Sequence, residues 1–181
     1  VGGSGSSTQV LIVSAGTLNL TGNVTGGSAA AARGVMTSGS ANCTIVGEIF
    51  AGISDAIAHQ STGTFTINPP SGLLQRSGTS FIRMAAISGL LVVNANVTGS
   101  AATSGSTIQF ISGRVFITGN VTGGGVSGSD AIIGTGVGNS MTIVGNVLGG
   151  TIANARAIDW STGSSIYIAG NVTAGADAIA I

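Results

Sequence analysis

The heptapeptide TGNVTGG occupies residues 21–27 and occurs again, letter for letter, at residues 118–124. Looser copies are VGEIFAG at 46–52, NANVTGS at 94–100, VGNVLGG at 144–150 and AGNVTAG at 169–175. Each copy follows a short run of alternating aliphatics. Aligning those runs on their first inward residue gives Leu18, Cys43, Phe65, Leu91, Val115, Met141 and Ile166, separated by 25, 22, 26, 24, 26 and 25 residues. A period in this range, held this evenly, marks a solenoid in which each repeat is one turn of chain.

The columns carry the assignment. Two residues on from the first column come Leu20, Ile45, Ile67, Val93, Ile117, Ile143 and Ile168. A spacing of two places both columns on one face of a strand. Val24, Ile49, Val97, Val121, Val147 and Val172 form a third column. Val10, Val35, Ile57, Ile108, Ile132, Ile158 and Ile179 form a fourth, ahead of each next repeat. β-branched residues dominate, which favours strands. The 32 glycines and the lack of a 3.6-residue period exclude a helical solenoid. The expected fold is therefore all-β: a parallel β-helix, or β-solenoid, of about seven rungs of roughly 25 residues. A β-sandwich is the second choice, but it would not hold the same columns through seven copies. Residues 1–9 form a Gly/Ser-rich start that continues from an upstream rung, and residues 10–181 form the repeats. The third rung is expected to be irregular around 68–82, where Asn68-Pro69-Pro70 replaces the usual corner and an excursion carries residues 71–80.

Within the motif, Val points inward and Gly lets the chain bend. The preceding column, Asn23, Glu48, Asn96, Asn120, Asn146 and Asn171, is expected to form a buried structural ladder of amides bonding from rung to rung. The motif is thus a corner and not a binding loop. A charge column precedes the fourth aliphatic column: Arg33, Asp55, Asp130, Arg156 and Asp177. Arg33 should stack on Asp55, and Asp130 on Arg156 on Asp177, with Arg83 joining them in the third rung.

Composition narrows function by exclusion. Charged residues are 6% of the chain, five Arg against five acids, for zero formal net charge. That removes the long-range field that draws a protein to nucleic acid. No apolar run reaches the roughly 18 residues of a membrane span, so no membrane insertion is expected. No signal peptide is legible, and the chain reads as a piece of something longer. Cys43 belongs to an inward column and is expected to be a buried thiol. His59 is the single histidine, so neither a triad nor a metal cluster suggests itself. Asp159 and Glu48 fall on different strands, which leaves no carboxylate pair for sugar hydrolysis. No catalytic residue, metal or cofactor is assigned. Six Asn-x-Thr triplets, at Asn19, Asn23, Asn42, Asn96, Asn120 and Asn171, resemble glycosylation acceptors. With the ladder positions taken as buried, they are read as a by-product of the repeat.

The outward residues of the first strand form a threonine-rich array that resembles an ice-binding face, but Val92, Phe116 and Tyr167 break it. Those three are the candidate interface, because an uncharged face with exposed apolar groups suits another protein surface. Trp160 is left open between interface and core.

The repeats and columns from Val10 to Ile181 resemble right-handed parallel β-helix regions of phage tail-fibre and tailspike shafts, and also of bacterial autotransporter passengers and adhesins. The resemblance implies a structural virion protein, a fibre or spike shaft supporting host attachment, located on the virion. It implies a homo-oligomer, trimeric by analogy with fibres, in contact with other virion proteins and through them with a host-surface glycan or receptor. A bacterial surface adhesin or autotransporter passenger is the alternative. A polysaccharide-degrading tailspike is third, with its active site outside this segment.

Overall fold

The computed structural model describes residues 9–27, 33–50, 55–75, 81–99, 105–161 and 163–175. These form nineteen strands: β1 Gln9–Val13, β2 Thr17–Thr21, β3 Val24–Thr25, β4 Arg33–Thr37, β5 Asn42–Val46, β6 Ile49–Phe50 and β7 Ile57–His59. There follow β8 Thr64–Ile67, β9 Leu73–Gln75, β10 Ile82–Val93, β11 Asn96–Thr98, β12 Ile108–Thr118 and β13 Val121–Thr122. The last are β14 Ile132–Gly134, β15 Ser140–Val144, β16 Val147–Leu148, β17 Ile158–Trp160, β18 Ser165–Ala169 and β19 Val172–Thr173. No helix occurs among the described residues.

The strands stack into a β-solenoid with three faces. The first face runs β1-β4-β7-β10-β12-β14-β17. The second runs β2-β5-β8-β10-β12-β15-β18, because the long strands β10 and β12 serve both faces. The third consists of β3-β6 and β9-β11-β13-β16-β19. Each face is seven strands deep, about six turns from first to last, and the pairings between neighbours are parallel. At ~4.8 Å per step the stack is roughly 30 Å long.

On the second face the register matches the sequence columns. Leu18, Cys43, Phe65, Leu91, Val115, Met141 and Ile166 lie opposite one another in turn, as do Leu20, Ile45, Ile67, Val93, Ile117, Ile143 and Ile168. Phe65, Leu91, Ile45, Ile67, Ile117 and Ile143 are fully buried. Each such side chain contributes about 1.5–3 kcal/mol by leaving water.

Three details differ from the expectation. Leu11, not Val10, pairs with Val35 at the start of the fourth column. The QVLIV run is apolar at four consecutive positions, so alternation alone does not choose the inward pair. Ile82 fills that column at the end of the third rung, between Ile57 and Ile108. In the third rung, the supposed excursion contains a proper third-face strand, β9, whose Leu74 takes the register position of Val97. Among the described residues of this rung, the irregularity is a turn closed by Gly72 N–H to Pro69 C=O at 2.9 Å; residues 76–80 of the expected excursion lie outside the described residues. Seven residues separate Ile67 from Leu74 where four separate Val93 from Val97. The third face is interrupted at this point, between β6 and β9.

A further inward column on the first face has no hydropathic signature. It comprises Val13, Thr37, His59, Met84, Phe110, Gly134 and Trp160. Trp160 therefore belongs to the core edge. Its ring stacks on Phe110 with centroids 5.5 Å apart and planes 16° from parallel. Gly134 lies between them, and a methyl group there would overlap the indole.

Candidate functional site

The corner between the second and third faces is where TGNVTGG lies. Backbone pairing continues around it: Gly119 N–H donates to Val144 C=O at 3.0 Å and Val121 N–H to Asn146 C=O at 2.9 Å. Gly119 has φ +147°, and a Cβ there would collide with the Ala95 carbonyl of the turn before. Both the left-handed conformation and the close approach require glycine.

The Asn side chains extend the same ladder. Asn23 Oδ1 accepts the Glu48 N–H at 2.9 Å. Asn96 Oδ1 accepts the Asn120 N–H, and Asn120 Oδ1 the Asn146 N–H, both at 2.8 Å. Asn146 Oδ1 accepts the Asn171 N–H at 2.9 Å. Glu48, which replaces Asn in the second rung, does the same through Oε1 to Ser71 N–H at 3.0 Å. The bonds run from side chain to the next rung's backbone, not from amide to amide. Asn23, Asn96, Asn120, Asn146 and Asn171 are exposed, which corrects the expectation of burial. An oxygen that reaches one rung along the outside of a corner need not leave solvent to make its bond.

An amide-to-amide contact does occur just outside this column, where Asn94 Nδ2 donates to Asn68 Oδ1 at 2.6 Å. The opposite corner, between the first and second faces, is pinned by buried polar groups. Ser61 Oγ donates to Ala41 C=O at 2.7 Å, and Asn139 accepts from Gly113 N–H while donating to Ile111 C=O.

The charge column divides. Arg33 Nε lies 3.6 Å from Asp55 Oδ2, with the Asp55 side chain nearly buried. Asp130 and Arg156 are one turn apart, but their side chains do not form an ion pair. Asp130 Oδ1 accepts the Arg156 backbone N–H at 2.6 Å, and the Arg156 guanidinium turns outward to Asp159. The reason is local: Asp159 is three residues along the same chain, and both it and Arg156 remain solvated. Burial pushes the Asp130 carboxyl up from its ordinary value, while the Arg156 N–H and charge oppose part of that rise. Arg83 is not in this column. It pairs in register with Ala58 and Gln109, on an outward column that ends at Asp159. Asp177 lies outside the described residues.

The candidate interface maps to one outward column of the second face: Asn19, Thr44, Thr66, Val92, Phe116, Thr142 and Tyr167. Val92 is half-buried, Phe116 is 37% exposed and Tyr167 65% exposed. Val46 and Val144, on the neighbouring outward column, are also exposed. Among the residues paired across the second face a single one is charged, Arg114; Arg83 lies on the first-face part of β10.

Two buried titratable groups complete the inventory. The Cys43 thiol is pushed up to about 11 by burial, which leaves it protonated and inert as a nucleophile. His59 is fully buried, with Nδ1 2.5 Å from Thr37 Oγ1, its ring 5.9 Å from that of Phe65, and Nε2 without a hydrogen-bond partner. Burial lowers it to about 4 from 6.5, so it is neutral near pH 7; the Gly63 and Leu90 backbone opposes part of the shift. The Thr37–His59 pair escapes sequence reasoning because both residues are polar in a column that is otherwise apolar.

Among the described residues, no group of three or more His, Cys, Asp or Glu is placed to hold a metal ion. Nor, among the described residues, is any helix long and apolar enough to cross a membrane. The chain matches no known protein-family model, no curated protein and no solved structure.

Proposed function

We propose that this chain is a structural shaft segment, part of a virion tail fibre or spike that supports host attachment, and that it acts as scaffold and not as enzyme. The observation that supports this reading is the second face. Seven strands hold one register, with aliphatic, aromatic or sulfur-bearing side chains inside and, among the residues paired across this face, a single charge outside. A body of this kind carries shape over a distance and presents what is attached to it. Its partners on this reading are further copies of itself and adjoining virion proteins, and any contact with a host glycan or receptor belongs to elements that the shaft supports. It requires no cofactor.

Immunogold electron microscopy with an antibody raised against the segment tests the proposal. Gold along a fibre projecting from virions is the expected result. Gold on the surface of uninfected bacteria would overturn the virion assignment in favour of an adhesin or autotransporter passenger. Release of oligosaccharide from host capsule by the purified segment, abolished by Asp159→Asn or Glu48→Gln, would overturn the scaffold assignment.

A further inference from the structure

We propose that the corner between the second and third faces is a glycosylation edge, with the side-chain amide nitrogens of Asn23, Asn96, Asn120 and Asn171 as sugar acceptors. The inference stands apart from the shaft reading and rests on the geometry of the corner. Each of the four begins an Asn-Val-Thr triplet, the acceptor pattern for N-linked sugars. In each, Val points inward, so Asn and Thr flank it on the outer side. The Asn residues are exposed; Thr25 and Thr173 are exposed, and Thr98 and Thr122 half-buried.

The ladder also decides which atom of each amide remains available. Oδ1 of Asn23, Asn96 and Asn120 is engaged by the next turn's backbone N–H at 2.8–2.9 Å. Among the described residues, Nδ2 of these three side chains makes no corresponding hydrogen bond. Glycosyl transfer uses Nδ2 and leaves the carbonyl oxygen free to accept. A sugar could therefore be attached without breaking a ladder bond.

The step balances simply. The anomeric carbon of a sugar carried on a nucleotide or lipid diphosphate forms a bond to Nδ2. The bond from that carbon to the phosphate oxygen breaks, and the diphosphate leaves with the electron pair. One amide proton passes to a base of the transferring enzyme, and nothing is oxidised or reduced. The consequence suits the composition. With 6% charged residues the coil has little to hold water at its surface, and a row of sugars along one edge would supply hydration.

The array contains its own controls. Asn146 occupies the same ladder position, equally exposed, but Leu148 stands where the triplet needs Thr. Glu48 holds the position in the second rung. Asn19 and Asn42 also begin triplets but lie on β2 and β5, off this edge.

The test is peptide mass spectrometry on the protein purified from the cells that produce it. Hexose or larger mass increments on Asn23, Asn96, Asn120 and Asn171, with none on Asn146, are the expected result. Unmodified mass at all four overturns the proposal, as do increments confined to Asn19, Asn42 or hydroxyl side chains. In the same cells, Thr122→Val should remove the increment from Asn120, and the exposed-site substitution Leu148→Thr should create one on Asn146. Neither should change the melting temperature of the deglycosylated protein by more than a degree or two. Failure of Leu148→Thr to gain sugar while Thr122→Val keeps it would also overturn the proposal.

Discussion

The indole of Trp160 packs directly over Gly134, one turn below it, and reaches Phe110 two turns below as a stacked partner. The absent side chain of Gly134 is what lets the two aromatic rings meet. Gly134→Ala should push the indole aside at a cost of about 1–3 kcal/mol. A lower denaturation midpoint together with a red-shifted Trp fluorescence maximum is the expected result; Trp160 is the single tryptophan, so the signal is unambiguous.

The asparagine ladder can be weighed by exchanging its oxygen. Asn120→Ala removes the acceptor for the Asn146 N–H and should cost about 0.5–1.5 kcal/mol. Asn120→Asp keeps an acceptor at the same place and should recover most of that loss. Thermal melts of the two variants beside the parent protein check the difference, and equal melting of both variants would remove the ladder as a stabilising element.

Val121 is fully buried between Val97 and Val147, while Thr122 beside it is half-buried and points outward. Val121→Asp places an unpaired carboxylate in an apolar column and should cost upwards of about 4 kcal/mol or prevent folding. Thr122→Asp should change stability by less than about 1 kcal/mol. Circular dichroism and chemical denaturation distinguish the two outcomes.

His59 gives the coil a pH dependence whose sign is set by burial. Its folded value, about 4, lies below the ordinary 6.5, so the unfolded chain takes up the proton first as pH falls. Its contribution to stability is fully present above pH ~6.5, declines between ~6.5 and ~4, and is level below that, for a total of roughly 3 kcal/mol. Asp130 works in the opposite sense. Its carboxyl is raised, so acidification relieves the cost of its burial. Urea midpoints measured from pH 7 to pH 4 should fall for the parent protein and flatten in His59→Gln.

Association should depend on the second face. Phe116 and Tyr167 present exposed rings on a face whose paired residues include one charge, Arg114. Sedimentation velocity over a concentration series should show self-association, reduced in the double variant Phe116→Ser, Tyr167→Ser without loss of melting temperature. A monomer at every concentration would show that this face has no self-complementary role.

How far the sequence reveals this molecule depends on which side chain fills each position. Leu18 to Ile166 and Leu20 to Ile168 are legible because alternating aliphatics repeat at one period and nothing else explains them. The column from Val13 to Trp160 is invisible by the same reasoning, since Thr37, His59 and Gly134 share no property but position. Leu74 is hidden by the three residues that Pro69 and Pro70 help insert ahead of it. The Asn column is legible as a ladder, but its solvent exposure is not, because the bond it makes depends on the direction the corner faces. Arg156 illustrates a further limit: stacking places Asp130 beside its backbone, while rotamer freedom and solvation give its guanidinium to Asp159.

The parallel register also has a mechanical consequence. Among the described residues the backbone bonds between strands run along the coil axis, and apart from side-chain contacts such as that of Trp160 with Phe110, each turn is bonded to the turns on either side of it. A pull on the two ends of the chain therefore loads the outermost turn alone, and that turn must peel before the next bears force. The coil should lengthen in successive jumps of roughly 80 Å, the contour of about 25 residues, and not yield all at once. A tether built this way absorbs a sudden load as a series of small failures, and each one can rewind onto the turns still in place.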